Sequence, residues 1–188
     1  MSKDRHIGRI GGVLALAASG VALGSTALTW ITSSSPAIAF NEQSLDAIPA
    51  GYETLAGQVA AGGAVVAVIG ALIWLFRGKG ATGPVLVALG SIPVVVGAIW
   101  LLLRVEDEFI WYAVNETGIS TDTMTDLVGS FVDNATVTIE AGDAVLVAAF
   151  AGGIALVLGL TGLVVASSRK AGQRARVDDD RAAPVTYR

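Results

Sequence analysis

The sequence predicts an all-α integral membrane protein: a four-helix transmembrane bundle with a short extracytoplasmic amphipathic helix. Three observations carry this. Only 15% of the 188 residues are charged while 53% are hydrophobic, against roughly 25% charged in a soluble domain. The apolar residues gather into four long runs without Asp, Glu, Lys, Arg or His. None of these runs alternates like a barrel strand, so each must satisfy its backbone within itself as a helix.

The first run covers 10–31, after a short N-terminus, 1–9, that carries Lys3, Arg5 and Arg9. Ala37-Ile-Ala39 has the A-x-A form of a signal-peptidase site. The run, however, is longer than the ~7–15 residues of a signal's apolar region, so a retained helix is expected. An outer loop, 32–58, with Pro36 and Pro49 leads to the second span, 59–76, whose cytoplasmic end carries Trp74 and Phe76. A turn, 77–84, brings Arg77 and Lys79 before the third span, 85–103, where Pro93 predicts a kink. The fourth span is 144–166, followed by a tail, 167–188. At about 1.5 Å per residue, each run crosses or nearly crosses a hydrocarbon layer of about 30 Å.

Charge sets the expected orientation. Eleven of the twelve Lys and Arg lie in the N-terminus, the 77–84 turn and the tail. The 104–143 connection has one Arg against nine acids. Basic loops stay inside, so both termini are expected in the cytoplasm and the 104–143 loop outside. Arg104 then reaches headgroups from the outer end of the third span. Glu106, Asp107 and Glu108 are expected in water. Trp30, Phe109, Trp111 and Tyr112 are expected as interface anchors in an aromatic belt.

Glycine supplies the expected means of packing. Gly8/Gly12, Gly20/Gly24, Gly63/Gly70 and Gly90/Gly97 form small-residue pairs, and Gly152, Gly153, Gly159 and Gly162 stripe the fourth span. In lipid such residues let backbones approach, and internal bundle packing is the expectation here.

The outer loop carries the remaining signals. Thr121-Asp-Thr-Met-Thr-Asp opens a helix over about 122–133. Met124, Leu127, Val128, Phe131 and Val132 fall at i, i+3, i+4, i+7, i+8, one apolar face. Without a Lys/Arg face to bind lipid, this helix is expected to lie on its own bundle or on a partner protein. Val137-Thr-Ile139 reads as a short extended piece. Asn115-Glu-Thr and Asn134-Ala-Thr are sequons on the outer side, candidate glycosylation acceptors at Asn115 and Asn134.

Several chemistries are excluded by residue supply. There is no Cys and a single His, His6, so thiolate metal sites, disulfides and multi-histidine or haem sites cannot be built within the chain. No cofactor, metal or nucleic-acid partner is expected. The consecutive acids match no calcium-loop spacing, and no nucleotide-binding or hydrolase motif occurs. Spans without ionisable groups lack the usual parts of a pump. A non-catalytic structural or accessory subunit of a larger membrane assembly (respiratory, envelope or virion membrane) is expected. Its partners would be the lipid bilayer and other membrane proteins or further copies of itself. The alternative is a small channel or transport component around the kinked third helix. The acidic exterior, with three Lys against nine Arg, also predicts a high-salt habitat.

Overall fold

A computed structural model describes residues 3–34, 50–77, 80–134 and 138–182, with side chains undescribed at 3–7, 34 and 172–182. The Ala37–Ala39 signal, Pro36 and Pro49 therefore lie outside the described residues. So do Lys79, Val137 and the last two residues of the second sequon. Four helices are long and apolar enough to cross a membrane: α1 (Lys3–Ser25), α2 (Leu55–Arg77), α3 (Thr82–Leu103) and α6 (Asp143–Ala182). Between them lie β1 (Ile31–Ser34), a single 3-10 turn at Gly51–Glu53, α4 (Val105–Thr117), α5 (Thr121–Asp133) and β2 (Thr138–Ala141).

The four long helices pack in a ring, α1 on α2, α2 on α3, α3 on α6 and α6 on α1, with only slight contact across the α1–α3 diagonal. Sequence neighbours are antiparallel. Gly12 of α1 approaches Leu75 of α2, Gly63 approaches Pro93, Gly97 approaches Ala56, and Gly159 approaches Ala88.

The helices are inside-out by size. Every buried residue of α2 is Gly or Ala: Ala56, Gly57, Ala60, Gly63, Ala64, Ala67, Gly70 and Ala71. Its Leu55, Val59, Val65, Val66 and Ile69 face outward. α3 supplies the bulk, with Val87, Val94 and Leu101 buried at seven-residue intervals. This pattern suits lipid, which solvates large apolar side chains as well as a protein core does. In water the same outer surface would be one very large apolar patch. Pro93 sits inside α3, and its ring faces Gly63, so the glycine of α2 accommodates it.

Glycine is used selectively. A Cβ on Gly63 would lie 2.6 Å from the Gly90 carbonyl oxygen, and one on Gly97 would lie 2.6 Å from that of Ala56. Gly11, Gly83 and Gly162 all adjoin Trp74, whose ring lies against α1 and α6 instead of marking a lipid-facing end. The Gly20/Gly24 pair meets nothing within 4 Å and faces outward.

Element ends differ from the sequence expectation, most at α1 and α6, while α2 and α3 begin a few residues early. α1 stops at Ser25, short of residue 31, where Ser25 and Thr26 hydroxyls turn back onto the Ala22 and Leu23 carbonyls. Ile31 instead starts β1, which pairs antiparallel with β2 in the register Ile31↔Ala141 to Ser34↔Thr138. A minimal sheet thus joins an otherwise helical fold, and β2 takes in Thr138 and Ile139 of the expected extended piece. α6 runs on as one 40-residue helix into the tail, about 60 Å long at 1.5 Å per residue.

Replacing an inward glycine with valine is expected to cost about 1–3 kcal/mol through overpacking. Gly63→Val and Gly90→Val should therefore lower the unfolding midpoint in detergent. Gly20→Val, on the open face, should leave it nearly unchanged. Equal losses at all three positions would contradict the packing described.

Candidate functional site: the bundle cap

The non-membrane elements gather at one end of the bundle and are laced to it by backbone. Gly51 N–H donates to the Leu28 carbonyl at 2.9 Å, Tyr52 N–H to Thr26 at 2.9 Å, and Gly142 N–H to Trp30 at 2.7 Å. A further bridge joins Thr29 to Ala50.

Trp30 is the plug of this cap. It is 0% exposed, and its indole N–H donates to the Ser25 carbonyl at 2.8 Å, satisfying a helix-end acceptor. A Cβ on Gly51 would lie 2.6 Å from its Nε1, so that turn carries glycine because the ring lies there. The sequence expectation of a lipid-interface anchor is thereby corrected. Ending α1 at Ser25 turns residue 30 inward, into a cluster with Ile31, Leu101, Met124, Val128, Ile139 and Val145.

Glu108 corrects a second expectation. Its neighbours Glu106 and Asp107 are exposed, but Glu108 is only 3% exposed. Its carboxylate accepts from the Ala56 backbone N–H at 3.2 Å and from Trp100 Nε1 at 3.1 Å. The reason is the conformation of Arg104. With φ −137 and ψ 37 it breaks the run of α3 and starts α4. One turn into α4, Glu108 faces the start of α2. There the carboxylate meets unsatisfied N–H groups and the positive end of the helix dipole. Thr54 completes the cap: its hydroxyl donates to the Gly51 carbonyl at 2.8 Å and accepts from the Gly57 N–H at 3.0 Å. One carboxylate thus ties α2, α3 and α4 together.

Arg104 itself is exposed. It pairs with Asp107 at 2.9 Å, and its guanidinium stands 5.8 Å from the Trp100 ring centre. An exposed pair of this kind contributes little stability.

α4 is the element that sequence reading missed. A signal was present: Val105, Phe109, Ile110, Ala113 and Val114 form one helical face, three acids occupy the first turn, and Gly118 ends the helix at φ 69. These five residues pack on the outer core cluster. Phe109, expected as a membrane anchor, belongs to that face, and Trp111 and Tyr112 are half-buried. Partial burial and the nearby Glu53 and Glu116 carboxylates raise the Tyr112 phenol above its ordinary value.

α5 forms where the sequence places it, with the Ser120 hydroxyl capping its start. Of its apolar face, Met124 and Val128 are buried and Val132 packs against the same core. Phe131 is half-buried, while Leu127 remains exposed. Of the two expected resting places, the helix's own bundle or a partner protein, most of the face is covered by the chain itself. Asn115 and Asn134 are exposed, with their amides donating to the Trp111 and Ser130 carbonyls. Among the described residues, no three His, Asp or Glu gather to hold a metal ion.

The Glu108 contacts generate a graded expectation. Glu108→Ala should cost about 1.5–3 kcal/mol, the range for hydrogen bonds to a charged group. Glu108→Gln, which keeps an acceptor, should cost less, and Trp100→Phe should remove one bond only. Chemical unfolding in detergent would rank the three, and an unchanged Glu108→Ala midpoint would rule out the tie. No family model, no curated protein and no solved structure matches this chain.

Proposed function

We propose that this protein is a non-catalytic structural or accessory subunit of a larger membrane assembly. The observation that carries the reading is the closed outer cap. Trp30 fills the end of the bundle, and the buried carboxylate of Glu108 has both a backbone and an indole partner. A carboxylate held by fixed donors is suited to joining helices, whereas a reaction site presents groups to a substrate. The interior of the spans agrees, being mainly Ala, Gly and Val, with Pro84, Leu101 and a few hydroxyls. Contacts with other membrane proteins would then be made by the outward faces of the helices and by the acidic outer surface. Both termini would lie in the cytoplasm, because the basic residues gather at the opposite end from the cap.

A second reading, a channel or transport component around the Pro93-bearing α3, has one observation in its favour. Two serines, Ser19 and Ser91, are buried in the middle of the bundle. The two readings separate by experiment. Extraction from native membrane in mild detergent should yield a stable co-purifying membrane protein, identified by mass spectrometry. Liposomes holding this chain alone should pass no ions or small solutes. Flux that responds to Pro93→Ala, with no partner recovered, would favour the second reading.

We also propose a high-salt habitat. Eight of the nine acids between Arg104 and Asp143 are exposed, with Glu108 the exception. Clustered like charges repel, and salt screens that repulsion. Thermal stability in detergent should rise from low to molar KCl, and indifference to salt would reject the idea.

A further inference from the structure

The bundle interior is built in layers. Ala15, Ala71, Val87 and Ala155 form one buried cluster. Seven residues along each helix toward the cap, Ala22, Ala64, Val94 and Ala148 belong to the other. Between these two layers, one turn from the first, lie Ser19, Ala67, Ser91 and Ala151. All four are buried, and none has a side chain longer than two heavy atoms. This intermediate level lacks the valine that each of the other two carries and has two hydroxyls in its place.

Ser19 is anomalous among them. It is 1% exposed, and its Oγ is the one buried side-chain polar atom without a hydrogen-bond partner among the described residues. Serine in a membrane helix ordinarily bonds back to a carbonyl of its own helix. Ser25, Ser91, Thr161, Ser167 and Ser168 all do so here, at 2.7–2.9 Å. An unpartnered hydroxyl in a lipid-surrounded interior is costly, because neither bilayer nor neighbouring alanine can replace the lost hydrogen bond.

We propose that this layer holds a bound water molecule, with Ser19 Oγ as its principal protein partner. Ser91 lies on the facing diagonal helix. Its proton is committed to the Val87 carbonyl at 2.7 Å, but a hydroxyl oxygen keeps lone pairs to accept from a second donor. A water can donate to Ser91, accept from Ser19, and donate again to a helix carbonyl with a spare lone pair. That makes about three hydrogen bonds, the usual number for a buried water. The site is independent of whether the protein is an accessory subunit or a transport component. It is a hydrated point between two dry layers.

The test uses the full chain in lipid nanodiscs. A water held in common makes Ser19→Ala and Ser91→Ala each lower the melting midpoint by a few degrees. It also makes their combined effect smaller than the sum, because both remove one bridge. Deleting a dry, unpartnered hydroxyl does the opposite and raises the midpoint. A Ser19→Ala midpoint that rises or stays constant overturns the proposal, as does strict additivity. A second readout needs no variant. Magnetisation transfer from a long-lived water to the Ser19 backbone amide is expected in the wild-type protein, and its absence overturns the site.

Discussion

Lipid solvates leucine as well as a protein interior does, and from that constraint most of this structure follows. Burying large side chains between helices offers little driving force in a bilayer. What remains is dispersion between closely approaching backbones, and only small residues permit it. α2 meets the requirement along its whole buried stripe, with nothing larger than alanine. α3 answers with a valine or leucine every seventh residue, at Val87, Val94 and Leu101. Bulk from one helix fills the shallow surface of its neighbours. Leu, Ile and Phe are then left for the lipid side, as Phe76, Leu103 and Phe150 are.

A bundle held by small contacts has a weak point where its helices leave the bilayer. Helix ends carry unsatisfied N–H and C=O groups, and water can enter there. The cap answers both problems with few residues. The Trp30 indole occupies the end and partners the Ser25 carbonyl. Glu108 and Thr54 supply acceptors to the start of α2. The two-stranded sheet holds the exit of α1 against the entry of α6. The connection between α3 and α6 is long because it contains this cap. α4 and α5 form its wall, and the exposed acids decorate its outer surface.

Polar groups inside the hydrocarbon are few and positioned. Among the described residues of the spans most are hydroxyls, beside the Trp74 and Trp100 indoles and Gln58 near the start of α2, and several of the hydroxyls return to their own helices. Such bonds satisfy the hydroxyls within their own helices and leave the faces toward neighbouring helices apolar. Ser19 departs from that rule at a level lined by serine and alanine alone.

Much of the fold was legible in composition and spacing, since a run of about twenty uncharged apolar residues has few options in a cell. The four spans, α5 and the extended piece at Thr138 could be read from local pattern alone. The helix α4 was legible too, but Phe109 was read with Trp111 and Tyr112 as an aromatic belt instead of with Val105, Ile110, Ala113 and Val114 as a helical face. Burial was not legible. Trp30 is amphipathic, and a tryptophan near a membrane boundary suits the interface or the interior equally. Glu108 sits beside two acids that do face water. Which of the three turns inward depends on Arg104 breaking the helix and on where α2 begins. The sequence alone determined that this chain has four helices long and apolar enough to cross a membrane, with small-residue faces, because length and hydropathy are local quantities. Tertiary structure alone decided which glycines touch, which tryptophan plugs the cap and which carboxylate is buried. Those outcomes depend on residues distant in the chain arriving at the same place.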